Sequence, residues 1–199
     1  MPGATTYQMI VAAQQLTDAA LLQQIAAGDR TAMHALYARH NRRVFRFIAR
    51  IVGDPHTADD VVSQVFVDVY RAADRFEGRS QVLTWLLSIA RNKALAVLRQ
   101  RPLEHLSDEQ ADSIPDLTES ADRKLERDDV AGLMRNCLLQ LSDAHREIID
   151  LVYYQEMSVE EVARIVGIPR NTVKTRMFYA RKQLARLIER AGGRRSVAV

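Results

Sequence analysis

Apolar residues recur along most of this chain at steps of three and four, the spacing of a helix with one face turned inward. Met33, Leu36, Tyr37, His40, Val44, Phe47, Ile48 and Ile51 make one such stripe, and Gly53, Asp54 and Pro55 end it. A second helix is predicted from about Pro55 to Ala73, with Val61, Val62, Val65, Phe66, Val69 and Tyr70 on its apolar face and Asp59, Asp60, Gln64 and Asp68 off it. A third runs from about Ser80 to Arg101, carried by Leu83, Leu86, Ile89, Ala90, Ala94, Val97 and Leu98. No strand-like alternation of useful length interrupts them, so the fold class is all-α.

The period is lost from Pro102 to about Thr118, where Pro115, Ser107, Ser113 and five acidic residues are the composition of a linker. It returns near Ala121 as a helix to about Leu139. Another follows from Ser142 to Tyr154, with Ile148, Ile149, Leu151 and Val152 inward, and then two more separated by a tight turn. Ser142 and Ser158 are suited to capping helix starts, and Glu161 stands three residues after Ser158 as a capping box requires. The organisation expected is two small helical domains, 17–101 and 121–190, joined by an acidic linker at 102–120, with disordered tails at 1–16 and 191–199.

Charge sharpens that division. Residues 1–101 hold 13 Lys and Arg against 8 Asp and Glu, residues 102–131 hold 3 against 10, and residues 132–199 hold 12 against 7. Two basic blocks thus flank an acidic one, which suits two surfaces for phosphate backbones and a solvated tether between them. No apolar run approaches the ~20 residues of a membrane span, and the amino end lacks a secretory pattern, so a cytoplasmic protein without membrane insertion is expected. A lone Cys137 allows no internal disulfide and reads as a small buried apolar residue, a redox switch being the alternative. The five histidines, His34, His40, His56, His105 and His145, make no zinc spacing. There is no phosphate-cradling glycine loop, no paired acid and base, and no nucleophile at motif spacing, so no catalytic residue, metal or cofactor is expected.

The most informative local stretch is SVEEVARIVGIPRNTVKTRMFYARKQL, Ser158 to Leu184. Val159, Val162, Ala163 and Val166 stripe a short helix, Gly167 tolerates positive φ at its end, and Pro169 starts the next helix. Two helices across so short a glycine turn fit a DNA-reading helix-turn-helix. With Val173, Met177, Ala180 and Leu184 inward, Asn171, Lys174, Thr175, Phe178 and Lys182 fall on the outer face. Asn pairs with adenine in two places, Lys reaches guanine or a phosphate, and Thr offers a hydroxyl and a methyl. Arg170, Arg176 and Arg181 flank that face as phosphate clamps, and Thr172 lies at the same amino end. Phe178 has three possible roles: a thymine methyl, packing on the neighbouring helix, or a protein partner.

FEGRSQVLTWLLSIARNKALAVLRQR, Phe76 to Arg101, resembles the promoter-melting segment of extracytoplasmic-function (ECF) sigma factors. TADDVVSQVFVDVYRAADRF, Thr57 to Phe76, is similar to the same family's core-binding helix, and Leu141 to Leu184 to its promoter-reading domain. The resemblance implies an initiation factor that partners the clamp and flap of core RNA polymerase, promoter DNA and an anti-sigma factor. The helix-turn-helix residues would read the −35 element. Phe76, Arg79, Ser80, Thr84, Trp85, Arg91, Asn92, Lys93, Arg99 and Arg101 would hold the melted −10 strand, with the flipped-base pocket in the loop from about Phe76 to Thr84. Asp59, Asp60, Gln64, Phe66 and Asp68 would meet the polymerase.

The residues themselves agree: from Gly78 to Arg101 there are five cations and no acid beside Trp85, as a surface gripping a single strand needs. Trp85 reads as a core residue or as a wall for an unstacked base. The chain departs from the family pattern at Ser63 and Gln64, where Gln-Glu is common, at Ala96, where an acid often stands, and at Pro169, where a capping Ser is usual. Read from the residues alone, a stand-alone helix-turn-helix regulator and a protein-binding helical adaptor stay open.

Overall fold

A computed structural model describes residues 16–100 and 132–196, with side chains to 191. The chain divides into two compact units. The first holds α1 (Asp18–Ala26), α2 (Arg30–Val52), α3 (Pro55–Ala72), a 3-10 turn (Ala73–Arg75) and α4 (Val82–Gln100). The second holds α5 (132–139), α6 (Asp143–Ile149), a π turn (Asp150–Tyr154), most of α7 (Val159–Val166), and α8 (Arg170–Ser196). The described residues are helical in both units, as the periodicity predicts. The linker 102–120, the helix start near Ala121, His105, Arg101 and residues 1–15 and 197–199 lie outside them.

Helices α1, α2 and α3 each start where a side chain satisfies open amides. Thr17 caps α1, accepting from the Ala20 amide at 3.2 Å. Asp29 accepts from Thr31 at 2.7 Å, and Asp54 from Thr57 at 2.8 Å with Pro55 at the first turn of α3. α2 packs on α1, α3 and α4, and α3 on α4. Leu36, Val44, Phe47 and Ile48 of α2 meet Val61, Val65 and Val69 of α3 and Leu86, Leu87 and Ala90 of α4 in one buried core.

Helix α1 was not anticipated from periodicity. It buries Leu21, Leu22 and Ile25, and its Asp18 carboxylate bonds Arg39 and, at 2.8 Å, His40 Nε2 of α2. Burial pushes the His40 imidazole below its ordinary value, against the opposing pull of Asp18, so it is neutral at pH 7 and its Nε2–H donates to the carboxylate.

In the second unit α6 packs on α8, and Leu141, Ile149 and Ala180 form a cluster edged by Leu138, Leu184 and Leu187. Cys137 is buried. Three expectations are corrected. Ser142 occupies the cap position of α6 without a side-chain hydrogen bond. The helix expected to run to Tyr154 widens after Ile149 into the π turn, where the Gln155 amide returns to Asp150 at 3.0 Å. α8 continues through Gly192 and Gly193 to Ser196, where a frayed tail from 191 was expected.

The π turn closes on Glu156, which takes φ 53, the left-handed region that L side chains avoid. Met157 then returns its amide to Leu151 at 2.9 Å, setting the chain on course for α7. A left-handed non-glycine residue costs about 1–2 kcal/mol, and glycine gives back about 0.5–1 kcal/mol through the unfolded chain. Glu156→Gly is therefore expected to stabilise the second unit by about 0.5–1 kcal/mol in thermal melts. A lower melting temperature in the variant would show that Glu156 is held by more than its backbone.

Candidate nucleic-acid interface

The helix-turn-helix is built from its caps. Ser158 Oγ accepts from the Glu161 amide at 3.3 Å while Glu161 Oε2 accepts from the Ser158 amide at 2.9 Å, completing the expected capping box. Gly167, at φ 73, ends α7 with its amide on Ala163 at 2.9 Å. Pro169 stands just ahead of α8, its carbonyl accepting from Val173 at 3.1 Å. Val173 and Ala180 are fully buried and Met177 and Leu184 half-buried, so the inward stripe is as expected.

The opposite face presents Asn171, Lys174, Thr175, Phe178, Arg181 and Lys182 to solvent, with Thr172 and Arg176 half-buried on its flanks. The Thr175 hydroxyl donates back to the Asn171 carbonyl at 2.9 Å, which leaves its methyl and its acceptor lone pairs for a partner. Phe178 is 60% exposed and its ring meets the neighbouring Tyr179 ring edge-on, at 5.4 Å, which leaves most of it open to a thymine methyl or a protein partner.

Two features of this face were not read from the sequence. Glu160 of α7 forms an ion pair with Arg170, setting a carboxylate beside the first cation of α8. The exposed Tyr153 ring of the π turn lies under Arg181, whose guanidinium carbon is 5.5 Å from the ring centroid. Tyr153 is visible in the sequence, but its meeting with Arg181 of α8 depends on the π turn.

In the first unit the loop from Phe76 to Gln81 leads into α4. Phe76 packs against Trp85, the ring centroids 5.4 Å apart, and Trp85 stays half-buried, so it joins the core on one side and reaches the surface on the other. Phe76, Gly78, Ser80, Gln81 and Val82 face Asp18, Ala19 and Arg39 across an open cavity of ≈ 470 Å³. Asn92 and Arg99 are exposed and Arg91 half-buried along α4.

Other candidates are placed differently from expectation. Thr84 is 1% exposed, turned into the helical core, so its hydroxyl is not presented to a base. Arg79 forms an ion pair with Glu77. Lys93 meets Asp68 at 2.7 Å, so a cation expected at DNA and a carboxylate expected at the polymerase neutralise each other. On α3, Asp59, Asp60 and Gln64 are exposed, but Phe66 is 4% exposed and edge-on to Tyr37 at 4.8 Å. The exposed apolar groups on that side are Tyr37, Val67 and Tyr70. No helix of the described residues is long and apolar enough to cross a membrane.

The model of Sigma-70 region 2 matches residues 36–102, and that of Sigma-70, region 4 matches residues 137–186. The ECF RNA polymerase sigma-E factor of Escherichia coli (strain K12) is 30% identical over 86% of this chain and 94% of its own length. The chain belongs to the ECF family of RNA polymerase sigma factors. A further relative, the RNA polymerase sigma-H factor of Pseudomonas aeruginosa, is 29% identical over 88% of this chain and 95% of its own.

Among solved structures, that of CnrH in complex with the cytosolic domain of CnrY is similar to this ECF chain with a TM-score of 0.64 and 27% identity, covering 86% of this chain and 97% of that one. The sigma factor RpoE of Bartonella quintana, solved with the anti-sigma factor NepR, shares the fold with a TM-score of 0.63 over 77% of this chain and 94% of its own. As an ECF sigma factor the protein binds core RNA polymerase and DNA, directs promoter-specific initiation and catalyses no reaction of its own. The match at residues 36–102 sets aside the stand-alone regulator and the adaptor, neither of which calls for a region 2.

Proposed function

We propose that the two units divide promoter recognition between them, with boundaries near 17–101 and 121–190. α8 reads the −35 element through Asn171, Lys174 and Thr175, with Thr172 and Phe178 beside them and Arg170, Arg176, Arg181 and Lys182 on phosphates. The loop from Phe76 and the surface of α4, through Arg79, Ser80, Trp85, Arg91, Asn92 and Arg99, hold the unpaired −10 strand. The exposed side of α3, with Asp59, Asp60 and Gln64, docks on the polymerase clamp, and the second unit meets the flap. The protein works in the cytoplasm and is held by an anti-sigma factor, a reading supported by its likeness to CnrH, which was solved with the cytosolic domain of CnrY.

The observation that carries the division is the contrast between two DNA-facing surfaces. α8 offers a polar face, its own residues from Arg170 to Ile188 including no acid, behind a capped turn, suited to a groove. The first unit offers an aromatic pair beside a cavity, suited to a base out of its stack. The full chain is expected to prefer single-stranded −10 sequence over its duplex, more so with core polymerase, in fluorescence anisotropy with labelled oligonucleotides. Affinity should fall steeply with salt as counterions are released. Equal binding to both forms, unmoved by polymerase, would leave α8 as the DNA-binding element and overturn strand capture by the first unit.

A further inference from the structure

Two arginines on the flank of α8, Arg170 and Arg181, are met by groups from the elements before it, and they are held in opposite ways. Arg170 is paired with the carboxylate of Glu160, which cancels its charge. Arg181 lies over a ring instead, its guanidinium carbon 5.5 Å from the centroid of Tyr153, while its Nη2 donates to Met177 Sδ at 3.4 Å. Neither contact brings a negative charge, and Arg181 makes no ion pair among the described residues. The side chain is exposed, so a full positive charge faces solvent at a fixed place.

The ring owes its place to the π turn. The Gln155 amide returns five residues to Asp150 at 3.0 Å, and the Met157 amide returns to Leu151 at 2.9 Å. Leu151, Gln155 and Met157 are buried and anchor the turn from beneath, while Tyr153 stands 51% exposed on its outer side. π turns collect at functional sites, because their hydrogen-bond pattern is rare in a helix that has only to pack. Here the exposed ring meets Arg181.

A long arginine that swings freely gives up rotamer freedom when it grips a phosphate, which weakens the contact. A ring against the guanidinium takes part of that loss in advance. It attracts the cation through its π face, whereas a carboxylate occupies the N–H donors that a phosphate needs. Arg181 is thus placed without being neutralised, and Arg170 is not.

We infer that Tyr153 is a positioning residue of the DNA interface: from the π turn, ahead of the helix-turn-helix, it holds Arg181 ready for a phosphate of the promoter backbone. The inference rests on the reading of Arg181 as a phosphate contact. Since that contact is to phosphate, Tyr153 strengthens binding to every sequence alike.

The full chain is titrated into a labelled duplex carrying the cognate −35 element, with fluorescence anisotropy read at several salt concentrations. Wild type is compared with Tyr153→Leu, Tyr153→Phe, Arg181→Ala and the Tyr153→Leu/Arg181→Ala double variant. Arg181→Ala should lower the salt slope by about 0.9, one phosphate. Tyr153→Leu should weaken binding about two- to fivefold at low salt, with Tyr153→Phe at wild-type strength. In the Arg181→Ala background Tyr153→Leu should change nothing, because a positioning residue acts only through the group it positions. A ring that merely supported the fold would cost the same in both backgrounds.

Losses of equal size in both backgrounds, or none in either, would overturn the positioning role while leaving Arg181 on its phosphate. A loss in Tyr153→Phe as large as in Tyr153→Leu would overturn it too, making the hydroxyl itself the contact. So would loss of core polymerase binding in Tyr153→Leu with duplex binding intact, which would make the ring a protein-docking group. An unchanged salt slope in Arg181→Ala would instead bring down the phosphate reading of Arg181, and the inference with it.

Discussion

Transcription from the cognate promoter is expected to fall about 5- to 150-fold for each of Asn171→Ala and Lys174→Ala, the equivalent of about 1–3 kcal/mol per lost base contact. The helix should survive both changes. Each side chain is exposed, and alanine is the better helix former at both positions. Because the Thr175 hydroxyl bonds the Asn171 carbonyl, Asn171→Ala also leaves that contact intact. Single-round transcription with core polymerase on promoters altered at each −35 base pair separates reading from gripping. Loss of a base contact flattens the preference at one position, whereas Arg176→Ala, on the flank, should weaken every promoter alike and lower the salt slope. Wild-type output from both Asn171→Ala and Lys174→Ala would take these residues out of the base-reading set.

Leu86→Ala is expected to destabilise the first unit by about 2–5 kcal/mol, the range for a fully buried leucine. Leu86 is 0% exposed on the inner face of α4, where α2 and α3 meet it. Domains are typically stable by about 5–15 kcal/mol, so the loss would take a large share of the margin. Thermal denaturation followed by circular dichroism should show an early transition for the first unit, with the later one unchanged. Since α4 bears Trp85, core polymerase should also fail to rescue single-strand binding above that first transition. A loss under about 1 kcal/mol would mean that α4 does not pack as described.

The elements that periodicity predicts best are those whose apolar stripe spans several turns. α2, α3, α4 and the helix-turn-helix are of that kind, and in the last the capping box and Gly167 fix both ends of α7 by local chemistry. α1 escaped because three buried residues within two turns make a pattern too short to register, and its second anchor, Asp18 on Arg39 and His40, bridges more than twenty positions of sequence. The same limit explains the site residues. Thr84 and Phe66 sit at the edges of their stripes, where a rotation of a few tens of degrees decides between core and solvent. Charge pairs such as Lys93 with Asp68 and Arg170 with Glu160 join different helices, so a count of cations along one helix overstates the field it presents. The π turn leaves no mark in residue type, because it consists of where amides return rather than of which side chains they carry.

The bond between Asp68 and Lys93 gives the first unit one further property. Asp68 belongs to the helix that bears the acidic face, and Lys93 to the helix that bears the cations. A basic group from a docked protein that took up Asp68 would leave Lys93 without its counter-ion, raising the positive potential along α4 by one full charge. Conversely, a phosphate bound at Lys93 would release Asp68 to a cationic partner. Whatever energy couples the two events is the same in both directions, so occupation of either surface makes the other more receptive, and a polymerase-bound factor would grip an opened strand more firmly than a free one.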